Sequence, residues 1–106
     1  MKQNKIYSML GLATRSRRTD SGEFMTEKAV KSGKAHLVIV ANDASDNTKK
    51  EFRDMCAFYH VPIYFYGTKE ELGHAMGKAM RASLAVTDEG FSKSLEKLLS
   101  VTEVVK

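Results

Sequence analysis

The chain has 106 residues, of which 42% are hydrophobic and 28% are charged. This composition excludes a disordered chain and a fibrous repeat, and the length predicts one domain over residues 1–106. The longest apolar stretch, from Ala35 to Ala41, is far shorter than the roughly 20 residues of a membrane helix. No secretory signal follows Met1, and the single cysteine suits a reducing compartment, so we expect a cytoplasmic protein that contacts no membrane.

Positive charge is concentrated in the first third of the chain. Residues 1–34 contain eight lysines and arginines against three acids, whereas the rest of the chain has nine against ten. A positive field confined to one segment is what a phosphate-binding surface requires. A solvated basic surface would carry the same charges, so charge alone leaves both interpretations open.

The first predicted elements are two helices joined by a basic segment. An apolar stripe at helical spacing predicts the first helix over about residues 4–14. The stripe consists of Ile6, Leu10 and Ala13. Residues 15–20 then form a polar connection or a short edge strand. The second helix should begin near Gly22 or Glu23 and end before Gly33.

A buried strand and a third helix follow. The run from His36 to Ala41 is almost wholly apolar and β-branched, which predicts a central parallel strand covered on both faces. Turn and cap formers occupy residues 42–47. Apolar side chains at helical spacing then predict the third helix, with Cys56 packed in the core. They are Phe52, Met55, Cys56 and Tyr59.

Pro62 opens a predicted strand through residues 63–66, at a position where its missing N–H is tolerated. Thr68 and Glu71 then form a capping-box pattern, which predicts a short helix ending at about Met76.

The last predicted elements are a strand and a helix. The apolar run at residues 82–86 indicates the strand, and Thr87 with two following acids marks the start of the helix. Strands separated by helical segments predict an α/β fold, with a parallel or mixed sheet between helix layers.

The sequence contains no convincing catalytic or metal site, so we expect no enzyme and no cofactor. Gly73, Gly77 and Lys78 suggest a phosphate loop, but the spacing is one residue short and the motif ends in alanine. The three histidines lack a second ligand at metal-binding spacing. Asp43 follows the central strand, where ligands bind in open α/β sheets, but local capping explains it better.

The segment from Arg15 to Glu23 combines three arginines with the predicted start of the second helix. Free N–H groups at a helix start bind phosphate, and arginine adds charge and a planar hydrogen-bonding fork. The partner indicated is a nucleic acid backbone. Kinked RNA suits such a surface because it exposes unstacked bases.

Several short segments, in fixed order, carry a resemblance. They are Leu10-Gly11-Leu12-Ala13, Ser21-Gly22, Lys28-Ala29-Val30, Ser32-Gly33, Ala41-Asn42-Asp43-Ala44-Ser45, Val61-Pro62-Ile63, Gly67-Thr68-Lys69-Glu70-Glu71-Leu72-Gly73 and Ala85-Val86-Thr87-Asp88. Over about residues 4–99 the chain resembles the kink-turn-binding ribosomal protein superfamily of the L7Ae and L30e type, closest to its bacterial YlxQ-like branch. The resemblance implies a three-layer α-β-α sandwich around a mixed sheet of about four strands, without catalytic activity.

The resemblance also implies an RNA surface whose first part is the start of the second helix. Kink-turn binders open this helix with a Gly-x-Asn-Glu motif, followed by a lysine that contacts phosphate. Gly22 and Lys28 match the glycine and the lysine, but Phe24 and Met25 occupy the Asn and Glu positions and cannot make their contacts to base edges. Phe24 then either stacks on an exposed base or packs inward with Met25, and the sequence leaves both open.

The second part of the implied surface is the loop before the last strand, at residues 77–81. Met80 would cover an unstacked base, while Lys78 and Arg81 would meet phosphates. A solvated turn would tolerate the same residues.

We therefore expect a non-catalytic protein that binds structured RNA, kink-turn-like or ribosomal. Ribosome, translation-factor or transcription-factor contacts and a monomeric state are also expected. The candidate RNA-binding residues are Arg15, Arg17, Arg18, Ser21, Gly22, Glu23, Phe24, Met25, Lys28, Lys31, Lys78, Ala79, Met80 and Arg81. The rival hypothesis is a protein-interaction module on the same fold, with Phe24 and Met25 as interface anchors.

Overall fold

The computed structural model describes residues 4–105, and the side chains of those up to Val101; in this range five helices alternate with four strands. The helices are α1 (Lys5–Arg15), α2 (Glu23–Lys31), α3 (Asp46–Tyr59), α4 (Lys69–Ala75) and α5 (Glu89–Val105). The strands are β1 (Thr19–Ser21), β2 (Leu37–Val40), β3 (Ile63–Phe65) and β4 (Ser83–Val86). The α/β class is therefore confirmed, with element ends within a few residues of the predictions.

The four strands form one mixed sheet in the order β1-β4-β2-β3. β2 pairs parallel with β3 and antiparallel with β4, and β4 pairs antiparallel with β1. The prediction of a central parallel strand was thus half wrong, since β2 is central but parallel to only one neighbour. Of the two alternatives for the basic connection, the edge strand is present as β1, which begins at Thr19.

The sheet separates two apolar cores, which makes three layers as predicted. Along β2, Leu37 and Ile39 face α1, α4 and α5, whereas Val38 and Val40 face α2 and α3. All four side chains are fully buried. Each contributes roughly 1.5–3 kcal/mol relative to exposure, so β2 stabilises the cores on both sides of the sheet.

Side-chain caps start the helices near the end of β2. Ser45 accepts a hydrogen bond from the Thr48 amide at 3.1 Å and so opens α3. The capping box predicted at α4 is present, with both reciprocal bonds formed. Asp43 is also a cap, as expected, but its carboxylate accepts from the Lys69 amide at 2.8 Å and therefore caps α4, not the local helix.

The Tyr7 hydroxyl joins α1 to α4. It donates a 2.7 Å hydrogen bond to the Glu71 carboxylate, and its ring packs edge-on against Tyr66. Burial and the adjacent carboxylate both raise the pKa of Tyr7, so the hydroxyl keeps its proton and remains a donor. Gly67 lies against this ring, where an added Cβ would collide with the hydroxyl oxygen.

The first four helices end in the same hydrogen-bonded turn, the Schellman motif, in which one residue adopts a left-handed conformation. In α1 the Arg18 amide donates to the Ala13 carbonyl at 2.8 Å and the Arg17 amide to Thr14 at 2.9 Å. The left-handed residues of the four turns are Arg17, Gly33, His60 and Gly77. Arg17 and His60 are not glycine, so the turns that end α1 and α3 carry backbone strain.

None of the helices within residues 4–105 is long and apolar enough to cross a membrane.

Cys56 packs in the core between α3 and the sheet, as predicted, and burial raises the pKa of its thiol to about 11. Because the thiolate is the nucleophile, we expect almost no alkylation by iodoacetamide at pH 8 in the native state. Mass spectrometry would follow the reaction, with the urea-unfolded protein as the reactive control. Equal rates in the two states would contradict this burial.

Candidate nucleic-acid interface

A backbone hydrogen bond holds the start of α2 against the start of β4. The Gly22 amide donates to the Ser83 carbonyl at 3.0 Å. One turn further along α2, Thr26 is fully buried and its hydroxyl accepts from Ser83 Oγ at 3.3 Å. Since residues 77–81 lead directly into β4, the two predicted parts of the surface lie side by side.

Gly22 is the residue before α2 and has φ 91° and ψ 157°, a conformation essentially restricted to glycine. No side chain among the described residues caps this helix start. The first amides of α2 are therefore open to an outside acceptor. Together with the positive end of the helix dipole, they attract an anion such as phosphate.

Arg81 joins the loop to β1. Its Nε donates to Ser21 Oγ at 3.0 Å, and its Nη1 donates to the Met80 carbonyl at 3.0 Å. The family resemblance implied that Arg81 contacts a phosphate of the RNA. In the structure much of its guanidinium is engaged within the protein, where it ties the Met80 backbone to Ser21, the last residue of β1.

The loop at residues 77–81 is closely packed at its base and exposed at its tip. An added Cβ at Gly73 would collide with the Ala79 carbonyl, which confirms that this glycine serves packing. Gly77 provides the left-handed turn at the end of α4. Lys78, Ala79 and Met80 are all exposed, Met80 by 58%.

Phe24 points to solvent with 74% of its surface exposed, and Met25 is 40% exposed. These values contradict the alternative in which both residues pack inward. Phe24 lines a shallow groove with Lys28 and Lys31 on one face of α2. Position 24 therefore combines an exposed aromatic ring with nearby positive charge.

The two lysines of this groove differ in their partners. Lys31 forms a 2.7 Å ion pair with Glu27, which raises the pKa of Lys31 through the hydrogen bond. Lys28 is exposed and forms no ion pair with the described side chains of residues 4–101. Lys28 is thus the better placed of the two to meet a phosphate. Glu23 is exposed as well and occupies the first turn of α2.

Arg15, Arg17 and Arg18 are exposed but lie at the other end of β1. The Arg18 carbonyl accepts from the Thr87 amide, beyond the carboxyl end of β4, whereas Ser21 lies beside Arg81 at its start. Three strand residues separate these ends by about 10 Å. The arginines therefore form a separate basic cluster and do not join the α2 start and the loop.

Ser83 and Thr26 were missed by the sequence analysis, although both position this surface. The available signal was a serine inside an otherwise apolar strand run, since a buried hydroxyl needs a partner. No group of three potential metal ligands occurs among the described residues.

Residues 4–96 match the family described as Ribosomal protein L7Ae/L30e/S12e/Gadd45 family. The chain belongs to this family. It is 41% identical over 93 residues to the RNA-binding protein YlxQ of Bacillus subtilis (strain 168), covering 88% of this chain and 93% of the relative. It is 35% identical over 96 residues to the large ribosomal subunit protein eL30 of Tetrahymena thermophila, covering 89% and 92%.

Solved structures share the fold of this chain. A Bacillus halodurans C protein of unknown function superimposes with a TM-score of 0.90 at 41% identity, covering 92% of this chain and 99% of that one. A Giardia lamblia 15.5kD RNA-binding protein superimposes with a TM-score of 0.78 at 20% identity, covering 100% of this chain and 94% of that one. This likeness shows the fold alone. The curated relatives are RNA-binding and ribosomal proteins rather than enzymes, which confirms the prediction of a non-enzymatic protein.

Arg17 holds a left-handed conformation that costs an L-residue roughly 1–2 kcal/mol. Replacing it by glycine removes this strain but adds freedom to the unfolded chain, so Arg17→Gly should leave the free energy of unfolding unchanged or raise it by up to about 1 kcal/mol. Arg18→Gly is the matched control, because Arg18 has no positive φ. This variant should lower the free energy of unfolding by about 0.5–1 kcal/mol. Urea denaturation would measure both, and equal losses would contradict the strain.

Proposed function

We propose that this member of the L7Ae/L30e family is a non-catalytic RNA-binding protein that recognises structured RNA of kink-turn or ribosomal type. The proposal is supported chiefly by the Gly22–Ser83 and Arg81–Ser21 hydrogen bonds, which join two exposed segments into one rigid surface. The names of the relatives support the same ligand class.

Phosphate contacts would come from three sources on this surface. The uncapped amides at the start of α2 suit one phosphate. Lys28 in α2 and Lys78 in the loop are exposed cations on the two segments that form this surface. The arginine cluster of Arg15, Arg17 and Arg18 lies about 10 Å away along β1 and would contact a more distant part of the RNA backbone. Lys31, paired with Glu27, would contribute less.

Two apolar side chains would contact bases. Phe24 at the start of α2 and Met80 at the loop tip are both more than half exposed. Base stacking on an aromatic ring is worth roughly 1–3 kcal/mol and accepts any base. Unstacked bases of a kinked RNA offer such contacts, whereas a straight duplex does not.

Specificity for particular base edges would be weaker than a Gly-x-Asn-Glu motif provides. Phe24 and Met25 supply neither an amide nor a carboxylate, and Glu23 is the one carboxylate in the first turn of α2. We therefore propose that the RNA is selected by its shape and by its exposed bases.

We further propose that the protein acts as a cytoplasmic monomer of one domain, in ribosome- or translation-associated complexes. The ribosomal relatives support this assignment.

The first test of this proposed function concerns RNA shape and charge. Fluorescence titration should show a preference for a kink-turn RNA over a straight duplex of matched composition, retained at physiological salt. Lys28→Ala should weaken binding to both RNAs and reduce the slope of log K against log salt by about 1, and Arg17→Ala should act similarly. Lys93→Ala removes the same charge from α5 on the opposite layer and should change neither quantity.

Equal and fully salt-sensitive binding to both RNAs would refute recognition by shape. Unchanged binding by Lys28→Ala at low salt would remove this lysine from the interface.

The second test of the proposed function concerns the stacking of Phe24 on a base. Phe24→Ala should lower the affinity for kinked RNA by roughly 1–3 kcal/mol, about 5- to 150-fold, without changing the salt slope. Phe58 is an equally exposed phenylalanine at the end of α3, 75% against 74%. Phe58→Ala is therefore the matched control and should bind normally in the same titration. An identical loss in both variants would show that Phe24 has no specific role.

A further inference from the structure

The helix layer formed by α1, α4 and α5 carries an apolar groove between α1 and α5. Its floor and walls are formed by Met9 and Leu12 from α1 and by Leu98 and Val101 from α5, around a volume of about 530 Å³. Leu12 is 49% exposed and Val101 is 63% exposed. Both walls of the groove therefore present aliphatic side chains to solvent.

The rim of the groove is basic. Lys5 and Lys97 line it, one on each helix, together with two serines. No carboxylate among the described residues lines the groove. Neither lysine forms an ion pair with another described side chain, that is, within residues 4–101, in contrast to Lys93 on α5, which pairs with Glu89 at 3.2 Å. Among these residues the rim therefore presents two unpaired positive charges beside an apolar floor.

The length of the groove matches a short helix. Its lining extends from Lys5 to Leu12 on α1 and from Ser94 to Val101 on α5. Seven helical steps correspond to about 10 Å, or two turns. A helix laid in such a groove makes contact through apolar residues at positions i, i+3 or i+4, and i+7.

We propose that this groove binds an amphipathic helix of a partner protein, with a leucine-type stripe flanked by glutamate or aspartate. The apolar floor fits the stripe, and the two lysines fit the acids on its sides. Among the described residues an RNA backbone would find two cations here, and it would gain nothing from the aliphatic floor. A second copy of the chain would place Lys5 and Lys97 against the same lysines across a two-fold axis, which is unfavourable.

The groove lies on the opposite side of the sheet from α2. Its core residues belong to the cluster of α1, α4 and α5, whereas α2 packs in the other cluster. A helix in the groove and an RNA on the α2 surface would therefore occupy the protein together. This inference is independent of the proposed RNA-binding function, since either surface can fail alone.

The test uses the full chain and a designed probe. The probe is a synthetic peptide of about 15 residues, long enough for partial helicity, with leucines at i, i+4 and i+7 and glutamates beside them. Two further peptides serve for comparison, one with lysines in place of the glutamates and one with the same residues scrambled. NMR titration of the ¹⁵N-labelled protein gives both the affinity and the location of binding.

The acidic peptide should shift amide signals of α1 and α5 and bind at least about tenfold more tightly than either comparison peptide. The double variant Lys5→Glu, Lys97→Glu should reverse the preference between the acidic and the basic peptide. Leu12→Gln should weaken both complexes, while Phe58→Gln, which likewise replaces an exposed apolar side chain by glutamine but on α3, should not. RNA affinity should stay unchanged in Leu12→Gln, which alters no charge.

Three outcomes would overturn the proposal. The first is equal binding of the acidic and scrambled peptides, and the second is a set of shifts located outside α1 and α5. The third is a concentration-dependent dimer in sedimentation that Leu12→Gln abolishes, since this would assign the groove to a second copy of the chain.

Discussion

The hydrogen bond from the Gly22 amide to the Ser83 carbonyl is the constraint on which the candidate surface depends. Ser83 begins β4, which pairs with β1 on one side and with β2 on the other and is buried along its whole length. Ser83 pairs with Val40 of β2, and its carbonyl accepts from Gly22 on the β1 side, so a displacement of Ser83 would disturb both contacts. The start of α2 is therefore held as firmly as the centre of the sheet, and Arg81 extends this rigidity to the loop through Ser21.

Local patterns were sufficient to predict most of the fold. The alternation of Leu37 and Ile39 with Val38 and Val40 specified a strand buried on both faces, because each side chain is apolar whichever core it enters. Thr68 and Glu71 predicted the start of α4 because both partners of the capping box lie within one helical turn. Such features involve residues that are close in sequence, where spacing alone determines geometry.

Contacts between distant segments were beyond this kind of prediction. Arg81 meets Ser21 across 60 residues, and Asp43 caps a helix that starts 26 residues later. The left-handed Arg17 was also unpredictable, since the residue type favours no such conformation and the surrounding hydrogen bonds enforce it. These contacts determine which candidate residues lie together. Because of them the arginine cluster lies apart from the start of α2 and the loop at residues 77–81.

Phe24 and Met25 occupy the positions where a Gly-x-Asn-Glu motif supplies an amide and a carboxylate. In the proposed complex this difference would change the source of the binding energy more than its amount. A good bidentate contact to a base edge is worth about 1–3 kcal/mol of discrimination in DNA complexes. Stacking on Phe24 would contribute a similar amount for any base. Under the proposed function, affinity for an RNA with exposed bases would thereby be maintained, while discrimination between bases would fall. In the proposed complex the rigid spacing between Phe24 and Met80, held by the Gly22 and Arg81 hydrogen bonds, then becomes the main determinant of which RNA fits.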